Sequence, residues 1–217
     1  MENLRIEKKF VLGKYKDIYL KKFLLHSRFN KQYPDREISS IYLDTINYDY
    51  ARDNINGVST RKKIRFRWYD DKLNKIYMEE KNKKNFTVWK DIKKIDFINN
   101  KNEILNQLQD YLLKDKINLA HNFNYKFILK TNYKRSYWIS CDKNIRATID
   151  VDINASALNN LSIPISLPDT VLEFKFSPKN ESIFRHFFKE NSSYLRSQKY
   201  SKYVRSFIAL EEAGYKI

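Results

Sequence analysis

The sequence predicts an α+β fold in which an antiparallel β-barrel with a charged interior carries helices packed on its outside. Period-two alternation of ionic and apolar residues recurs in at least six segments, and such alternation is typical of strands with one polar and one apolar face. Several other segments carry apolar residues at helical spacing, which suits helices that cover the apolar side of a sheet. With 217 residues, 42% of them apolar, the chain can bury a core, so we expect a single domain over residues 1–217.

The N-terminal part opens with a predicted strand and a predicted helix. Residues 4–11 alternate Leu4, Ile6 and Phe10 with charged residues, which predicts a strand. Residues 14–29 carry apolar side chains three to four positions apart and are predicted to form an amphipathic helix. A short strand is expected at residues 39–44, followed by a turn in which Gly57 supplies a positive φ.

The most informative strand is predicted at residues 61–69, with the sequence RKKIRFRWY. Alternation places Arg61, Lys63, Arg65 and Arg67 on one face of it. Residues 76–83 alternate again, and the segment at residues 89–95 is expected to pair with them. Taken alone, the basic face is either an anion-binding surface or a solvated sheet edge.

The second half of the chain repeats these patterns. A helix is predicted at residues 102–113, and strands are predicted at residues 127–138, 145–153 and 170–176. In the middle strand Arg146, Thr148, Asp150 and Asp152 are aligned on one face. Helices are predicted at residues 182–191 and 201–213, with Gly214 as the C-cap of the last one.

Composition limits the classes of function. Lys and Arg total 42 against 26 Asp and Glu, a net charge of +16, which indicates a polyanionic partner: nucleic acid, phosphorylated metabolites or anionic lipid. Only three glycines occur, so neither a Walker loop nor a dinucleotide-binding fingerprint can be written. The single cysteine, Cys141, excludes an internal disulfide, and no stretch resembles a signal peptide or a membrane span, so we expect a soluble, cytoplasmic protein.

A barrel built from these strands would gather their charged faces in its interior. The residues that would line it are Arg5, Glu7, Lys9, Lys63, Arg65, Arg67, Lys81, Arg135, Arg146 and Lys175. Like charges held this close repel one another, and a bound polyanion would remove the repulsion. A nucleic-acid duplex fits less well, because duplex binders usually display basic residues on a helix or an open face, not on strand positions interleaved with glutamates.

Three predicted strands also carry a Glu-x-Lys pair whose two side chains share a face. The pairs are Glu7 with Lys9, Glu79 with Lys81, and Glu173 with Lys175. Carboxylate beside ammonium suits a metal-bridged phosphate, because Mn²⁺ or Mg²⁺ takes oxygen ligands while the phosphates need cations. Cross-strand ion pairing is the structural alternative for each pair.

Eight segments in a fixed order resemble a known family. They are RIEKKF at residues 5–10, SIYLDT at 40–45 followed by Tyr48, RFRWY at 65–69, MEEK at 78–81, YKRSY at 133–137, RATID at 146–150, LEFK at 172–175 and KYSKY at 199–203. Together they make the chain similar, over nearly its whole length, to the VTC (vacuolar transporter chaperone) polyphosphate polymerase domain of the CYTH-like triphosphate tunnel metalloenzyme superfamily.

The resemblance implies a tunnel that holds a triphosphate or a growing polyphosphate chain. The implied phosphate ligands are Lys9, Arg65, Arg67, Lys81, Lys90, Tyr133, Arg135, Ser201 and Lys202. Among them, Arg65, Arg67, Lys81, Arg135 and Lys202 are the implied catalytic residues. The implied metal ligand is Glu173, for Mn²⁺ or Mg²⁺, while Glu7 and Glu79 either help to hold the metal or orient the lysines. The assignment of Lys90 depends on a strand pairing that the sequence leaves open, and we expect Arg61 and Lys63 at the rim.

The function implied is transfer of the γ-phosphate of ATP to polyphosphate. Two alternatives stay open: a metal-dependent inorganic or organic triphosphatase that uses the same tunnel, and a non-catalytic module that binds polyphosphate or RNA. ATP or another triphosphate and inorganic polyphosphate are the expected partners, with no specific nucleic-acid partner. The fungal relatives add an SPX-type sensor and transmembrane segments that this sequence lacks, so we expect a stand-alone module, with a membrane protein as a further candidate partner.

Overall fold

The computed structural model describes residues 5–85, 87–96, 103–114, 125–158, 163–191, 195–215 and 217. Its strands are β1 (Ile6–Gly13), β2 (Phe29–Thr45), β3 (Thr60–Tyr69), β4 (Lys75–Lys84), β5 (Thr87–Asp96), β6 (Tyr125–Ser140), β7 (Ile145–Ala157), β8 (Ile165–Ser166) and β9 (Asp169–Phe176). Its helices are α1 (Asp17–His26), α2 (Asp49–Ile55), α3 (Ile104–Lys114), α4 (Glu181–Asn191) and α5 (Lys202–Glu212). None of these described helices has the length and apolar character needed to span a bilayer.

The strands form one antiparallel sheet, which confirms the α+β class. Its order is β1-β9-β7-β6-β2-β3-β4-β5, and the short β8 pairs with β7. Within the described residues β1 and β5 form the two edges and do not pair with each other. In its hydrogen bonding the sheet is therefore open, and the closed barrel predicted from the sequence is not formed by backbone pairing.

The sheet nevertheless curves strongly. Glu7 of β1 and Lys81 of β4 lie near opposite edges of the strand order, yet the Lys81 Nζ is 2.6 Å from the Glu7 Oε2. Two side chains can meet in this way only if the sheet bends around the face that carries both of them. We call this face, which also carries Arg65, Arg67 and Arg135, the concave face.

Apolar side chains fill the opposite, convex face. Helices α1 and α4 cover β1, β9 and β7 there, with aromatic contacts such as Phe176 on Phe184 at 4.4 Å between ring centroids. Helix α3 covers β3 and β4, where Phe66 contacts Tyr111 edge to face. These helices remove the apolar side of the sheet from water, which is the dominant favourable contribution to folding.

Helix α5 packs on the concave side and covers part of it. The Tyr203 ring stacks on Tyr42 of β2 at 4.9 Å, and the Tyr203 hydroxyl donates to the Asp44 Oδ2 at 2.6 Å. Asp44 is fully buried and also accepts from the backbone N–H groups of Tyr50 and Ala51 at the start of α2. These contacts fix the N-terminus of α5 against the ionic side chains of the sheet.

Several predicted boundaries differ from the structure for identifiable reasons. The helix predicted at residues 14–29 shortens to α1, because Tyr15 and Arg28 adopt positive φ and Phe29 already begins β2. The strand predicted at residues 39–44 extends to 17 residues as β2, and the sequence signals did not predict α2 or β8. Asp152 has φ 51° beside a register shift and is exposed, so its predicted alignment with Asp150 is wrong.

The other predicted strands and helices are confirmed within a few residues of their predicted bounds. The predicted pairing of residues 89–95 with the preceding strand is correct, with Lys81 opposite Lys90. Gly57 and Gly214 have the positive φ values expected of a turn and a C-cap. Leu4 and Asn102, which begin two predicted elements, lie outside the described residues.

Candidate active site on the concave face

Cationic side chains from six strands and one helix converge on the concave face. We call this set the cationic cluster: Lys9, Lys63, Arg65, Arg67, Lys81, Lys90, Arg135, Lys175 and Lys202. Four carboxylates lie among them: Glu7, Glu79, Asp150 and Glu173. Cations therefore outnumber carboxylates by nine to four, and the concave face carries a large excess of positive charge.

Glu79 of β4 organises the first group of charges. Its Oε2 accepts from Arg65 Nε at 2.7 Å and lies 3.5 Å from an Arg67 Nη1, while its Oε1 accepts from the Lys90 ammonium. Burial opposes ionisation of this carboxyl, but the attraction of the three cations outweighs it and holds the pKa of Glu79 well below its ordinary value. Glu79 is therefore an ionised anchor for Arg65 and Arg67.

Asp150 of β7 organises the second group. Arg135 donates to both of its carboxylate oxygens, at 2.5 and 2.7 Å, and the Lys202 ammonium donates to Oδ2. Asp150 is 1% exposed; burial opposes its ionisation, yet Arg135 and Lys202 keep its pKa low. A bidentate pair of this kind fixes the plane of the guanidinium and its orientation.

Tyr133 lies between these two groups. Its hydroxyl accepts from Arg67 Nη2 at 3.1 Å, and the Lys202 ammonium lies 4.5 Å from the centre of its ring. Burial opposes ionisation of Tyr133, but Arg135, Arg67 and Lys202 together lower the pKa of its hydroxyl. The Tyr133 side chain thus sits within one set of cations drawn from β3, β6 and α5.

Glu173 and Glu7 form the third group, on β9 and β1. Glu173 lies 2.9 Å from the Lys175 Nζ and 3.7 Å from the Lys9 Nζ, and Glu7 pairs with Lys81 and Arg5. The two carboxylates are close enough to repel each other. Burial opposes ionisation of Glu173, and the surrounding lysines nevertheless keep its pKa well below the ordinary value.

Lys63 differs from the other members of the cluster. Its ammonium donates to Ser201 Oγ at 2.7 Å, and no carboxylate of the described residues lies within ion-pair distance of it. Burial and the nearby Lys9, Lys81 and Arg61 lower the pKa of Lys63 well below its ordinary value. Its position beside Ser201 differs from the rim position expected from the sequence.

Two more lysines are shifted towards neutrality. Burial lowers the pKa of Lys81 to about 8, although Glu7 opposes the shift, and lowers the pKa of Lys90 to about 7, although Glu79 opposes it. In both cases the loss of solvation, together with repulsion from neighbouring cations, outweighs the attraction of the nearby carboxylates. An additional anion placed among these lysines would restore their charge.

The structure brings all the phosphate ligands implied by the resemblance onto the concave face or the first turn of α5. The β4–β5 register selects Lys90, rather than Lys83, Lys84 or Lys93, as the lysine that contacts Glu79. Arg146 lies at the exposed end of the face, opposite Lys175 in register. Sequence reasoning missed Asp150 and Tyr42 as site residues, although the alternation of β7 already placed Asp150 on the ionic face.

A divalent metal fits one part of the site. Within the described residues no three His, Cys, Asp or Glu side chains gather into a ligand cluster. The ionised pair of Glu173 and Glu7 nevertheless supplies the one or two carboxylates that Mg²⁺ and Mn²⁺ use when phosphate oxygens complete their coordination. Glu79 is a poorer candidate, because three cations already surround it.

Comparisons with known proteins agree on the fold. A chain from Bacillus halodurans called a "putative adenylate cyclase" aligns with a TM-score of 0.56 and 16% identity, covering 95% of this chain and 98% of that one. A chain of the same description from Vibrio parahaemolyticus aligns with a TM-score of 0.54 and 11% identity, covering 95% of this chain and 99% of that one. A protein from Pyrococcus horikoshii aligns with a TM-score of 0.53 and 11% identity, covering 90% of this chain and 96% of that one. At these identities the likeness concerns the fold alone.

Sequence comparison identifies the family. A search of curated proteins gives no match. The family described as the VTC domain matches residues 4–210, which is almost the whole chain and includes every member of the cationic cluster. The chain therefore belongs to the VTC domain family.

Proposed function

We propose that this chain is a metal-dependent polyphosphate polymerase that transfers the γ-phosphate of ATP to the end of a polyphosphate chain. The proposal combines membership of the VTC domain family with the charge of the concave face. In this proposal the curved sheet acts as a tunnel, since the Glu7–Lys81 contact already joins side chains from β1 and β4 across its gap. The protein would work as a single domain in the cytoplasm, where ATP is supplied.

The observation that carries the proposal is the environment of Lys63, which is desolvated and surrounded by other cations. Desolvating a cation without a partner anion is costly. Within the described part of the chain, Lys63 has the Ser201 hydroxyl as its hydrogen-bond partner and cations as neighbours. A polyphosphate chain would supply the missing negative charge to Lys63, Lys9 and Lys81 together. An ordinary solvated sheet face would not hold a lysine in this environment.

The bound triphosphate would be positioned mainly by charge and geometry. Arg65, Arg67 and Arg135 are held by Glu79 and Asp150, so their remaining N–H donors are preorganised to bind phosphate oxygens. The lysines act as point charges along the chain, and the Ser201 hydroxyl and the N-terminus of α5 add donors. Positioning and charge neutralisation are the main contributions that phosphoryl transfer needs from a protein.

The chemical step is a single displacement. A terminal oxygen of the polyphosphate attacks the γ-phosphorus of ATP, the bond between that phosphorus and the β–γ bridging oxygen breaks, and ADP leaves. The attacking oxygen is already ionised, so the step needs no general base. Cations that contact both chains would lower the repulsion between them in the transition state.

A metal ion held by Glu173 and Glu7 would neutralise phosphate charge and orient the transferred group when bound. Lys9 and Lys175 also lie beside the carboxylate oxygens of Glu173. We propose Mn²⁺ or Mg²⁺, because both take carboxylate and phosphate oxygens.

The carboxylates favour transfer to phosphate over hydrolysis. Burial alone would raise the pKa of each carboxyl, yet their cation partners keep the pKa values of all four, Glu7, Glu79, Asp150 and Glu173, below the ordinary values. Carboxylates that their cation partners hold in the ionised form are weaker bases for activating water than free carboxylates. A triphosphatase would benefit from a carboxylate poised to accept a proton, so hydrolysis is the less favoured use of this site.

The test is an incubation of the purified chain with ATP and Mn²⁺. We expect ADP release matched by growth of long polyphosphate, with little free phosphate released from ATP or from added tripolyphosphate. Release of phosphate without chain growth would replace the polymerase with a triphosphatase, and inertness in both assays would leave a binding module. Lys134→Ala, which removes an exposed lysine from β6 next to Arg135, is the control and should retain activity.

A further inference from the structure

One end of the concave face is aromatic rather than cationic. Tyr69 follows Arg67 by two positions on β3, Tyr77 lies opposite Arg67 on β4, and Tyr137 follows Arg135 by two positions on β6. Period-two alternation therefore puts these tyrosines on the same face as the cationic cluster. Tyr33 of β2 lies opposite Tyr137 in the sheet register.

The tyrosines form two edge-to-face pairs. Tyr33 packs on Tyr137 with 5.9 Å between ring centroids, and Tyr69 packs on Tyr77 with 6.2 Å. Arg36, which is exposed and lies opposite Arg135 in register, places its guanidinium 5.9 Å from the centre of the Tyr69 ring. Edge-to-face pairing leaves ring faces open to a third aromatic group.

The two pairs belong to one surface. Burial raises the pKa of the Tyr137 hydroxyl to about 12, and Arg135, Tyr69, Tyr133 and Arg36 all lie close enough to influence it. Tyr33 is 51% exposed, while Tyr69, Tyr77 and Tyr137 are half-buried. A wall that served only to pack the core would bury these rings more completely, as the convex side buries Phe66 and Phe174, both 0% exposed.

The position suits a nucleoside rather than a bare phosphate chain. Two residues of a strand span about 7 Å, so Tyr69 and Tyr137 lie about one ribose length beyond Arg67 and Arg135 along their strands, and Tyr77 lies beside Arg67. Polyphosphate has no aromatic part to stack on them, whereas a nucleoside triphosphate has one. Base–aromatic stacking tolerates any base, because every base has a π-face.

We propose that Tyr33, Tyr69, Tyr77 and Tyr137, together with Arg36, form a nucleobase subsite for the nucleoside triphosphate at this end of the concave face. The inference rests on the proposed function in one respect, that the triphosphate lies on the cationic cluster. The γ-phosphate of the bound nucleotide then points away from the tyrosines, towards Lys63 and Ser201. The acceptor polyphosphate must approach from that opposite side.

The test compares the binding of ATP and of inorganic tripolyphosphate by calorimetry, with EDTA present so that neither is turned over. The variants are Tyr33→Ala, which changes a largely exposed ring, Tyr69→Leu and the conservative Tyr69→Phe. We expect Tyr33→Ala and Tyr69→Leu to weaken ATP binding roughly 5- to 30-fold and tripolyphosphate binding less than about twofold. Tyr69→Phe keeps the ring and should bind both ligands as the wild type does.

Each alternative has its own result. Equal affinities for ATP in wild type, Tyr33→Ala and Tyr69→Leu, or equal losses for both ligands, would overturn the nucleobase subsite and leave the rings as wall. A wild-type chain that binds neither ligand, both with EDTA and with Mn²⁺ present, would overturn the proposed function itself. Tyr19→Ala, which changes a partly exposed ring on α1, is the matched control and should alter neither affinity.

Discussion

The two faces of strand β3 differ in how far the folded chain meets the needs of their side chains: the apolar face is fully packed, and the charged face lacks enough partner anions. Ile64, Phe66 and Trp68 point to the convex face, where they are at most 3% exposed and packed under α3. Lys63, Arg65 and Arg67 alternate with them on the concave face, where cations outnumber carboxylates. The same ten-residue strand therefore contributes to a fully packed apolar core on one side and carries positive charge without enough partner carboxylates on the other.

This difference separates stability from function within one strand. Apolar burial holds the sheet together without any ligand, because it depends only on removing side chains from water. The concave face is preorganised by buried ion pairs that contribute little net stability, since desolvation offsets most of their attraction. Substitutions on the convex face should therefore affect folding, and removal of a concave-face cation should affect ligand binding and turnover. Removal of a buried concave-face carboxylate leaves its cations unpaired and should lower stability as well.

The largest expected effect comes from neighbouring residues on the two faces. Arg65→Ala should lower the rate of polyphosphate synthesis roughly 100- to 1,000-fold, because it removes a preorganised donor to the transferred phosphate. Phe66→Ala should lower the free energy of unfolding by about 3–5 kcal/mol through loss of core packing. An ADP-release assay measures the rate of synthesis, and denaturant unfolding measures the free energy of unfolding, for both variants. Full activity in Arg65→Ala would show that this part of the concave face takes no part in phosphoryl transfer.

A second comparison uses adjacent glutamates on β4. Glu79→Gln removes the buried carboxylate shared by Arg65, Arg67 and Lys90, and we expect the free energy of unfolding to fall by about 3 kcal/mol. Glu80→Gln breaks the partly exposed ion pair with Lys62, at 2.8 Å, and keeps a side-chain oxygen that can accept from Asn82, so it should cost less than about 1 kcal/mol. Thermal or denaturant unfolding of the two variants checks this, and equal losses would show that Glu79 does not anchor the three cations.

The sequence predicted which face of a strand each side chain occupies better than it predicted where the strands end or how deeply a side chain is buried. Alternation depends on local geometry alone, so Arg65, Arg67 and Phe66 were assigned to their faces correctly. How deep Lys63 lies depends on α5, whose Ser201 arrives from 138 positions away, and no local pattern reveals that contact. Likewise, the length of β2 and the positive φ of Arg28 depend on pairing with β6 and on the turn after α1.

The smallest expected effect is an uptake of protons on binding. The pKa values of Lys81 and Lys90, about 8 and about 7, lie below their ordinary value of 10.5 in an unfolded chain. The unliganded fold should therefore gain stability as pH rises from about 7 towards 10.5, because the unfolded chain then holds more protons. A bound anion raises both pKa values, so tripolyphosphate binding at pH 8 should take up about one proton.

Calorimetric titrations in buffers of different ionisation enthalpy measure this uptake. The control is the same titration at pH 6, where both lysines are already charged and we expect much less uptake. Equal proton numbers at the two pH values would mean that the ligand does not contact Lys81 or Lys90.

The most direct test of the central claim, that the concave face is completed by a polyphosphate, is the affinity of Lys63→Met for tripolyphosphate beside that of Lys62→Met. Lys63 has no carboxylate partner among the described residues, whereas Lys62 pairs with Glu80 on the outer face. We expect Lys63→Met to stabilise the unliganded protein yet bind tripolyphosphate about tenfold more weakly, and Lys62→Met to change neither property appreciably. Unchanged affinity in Lys63→Met would contradict the account.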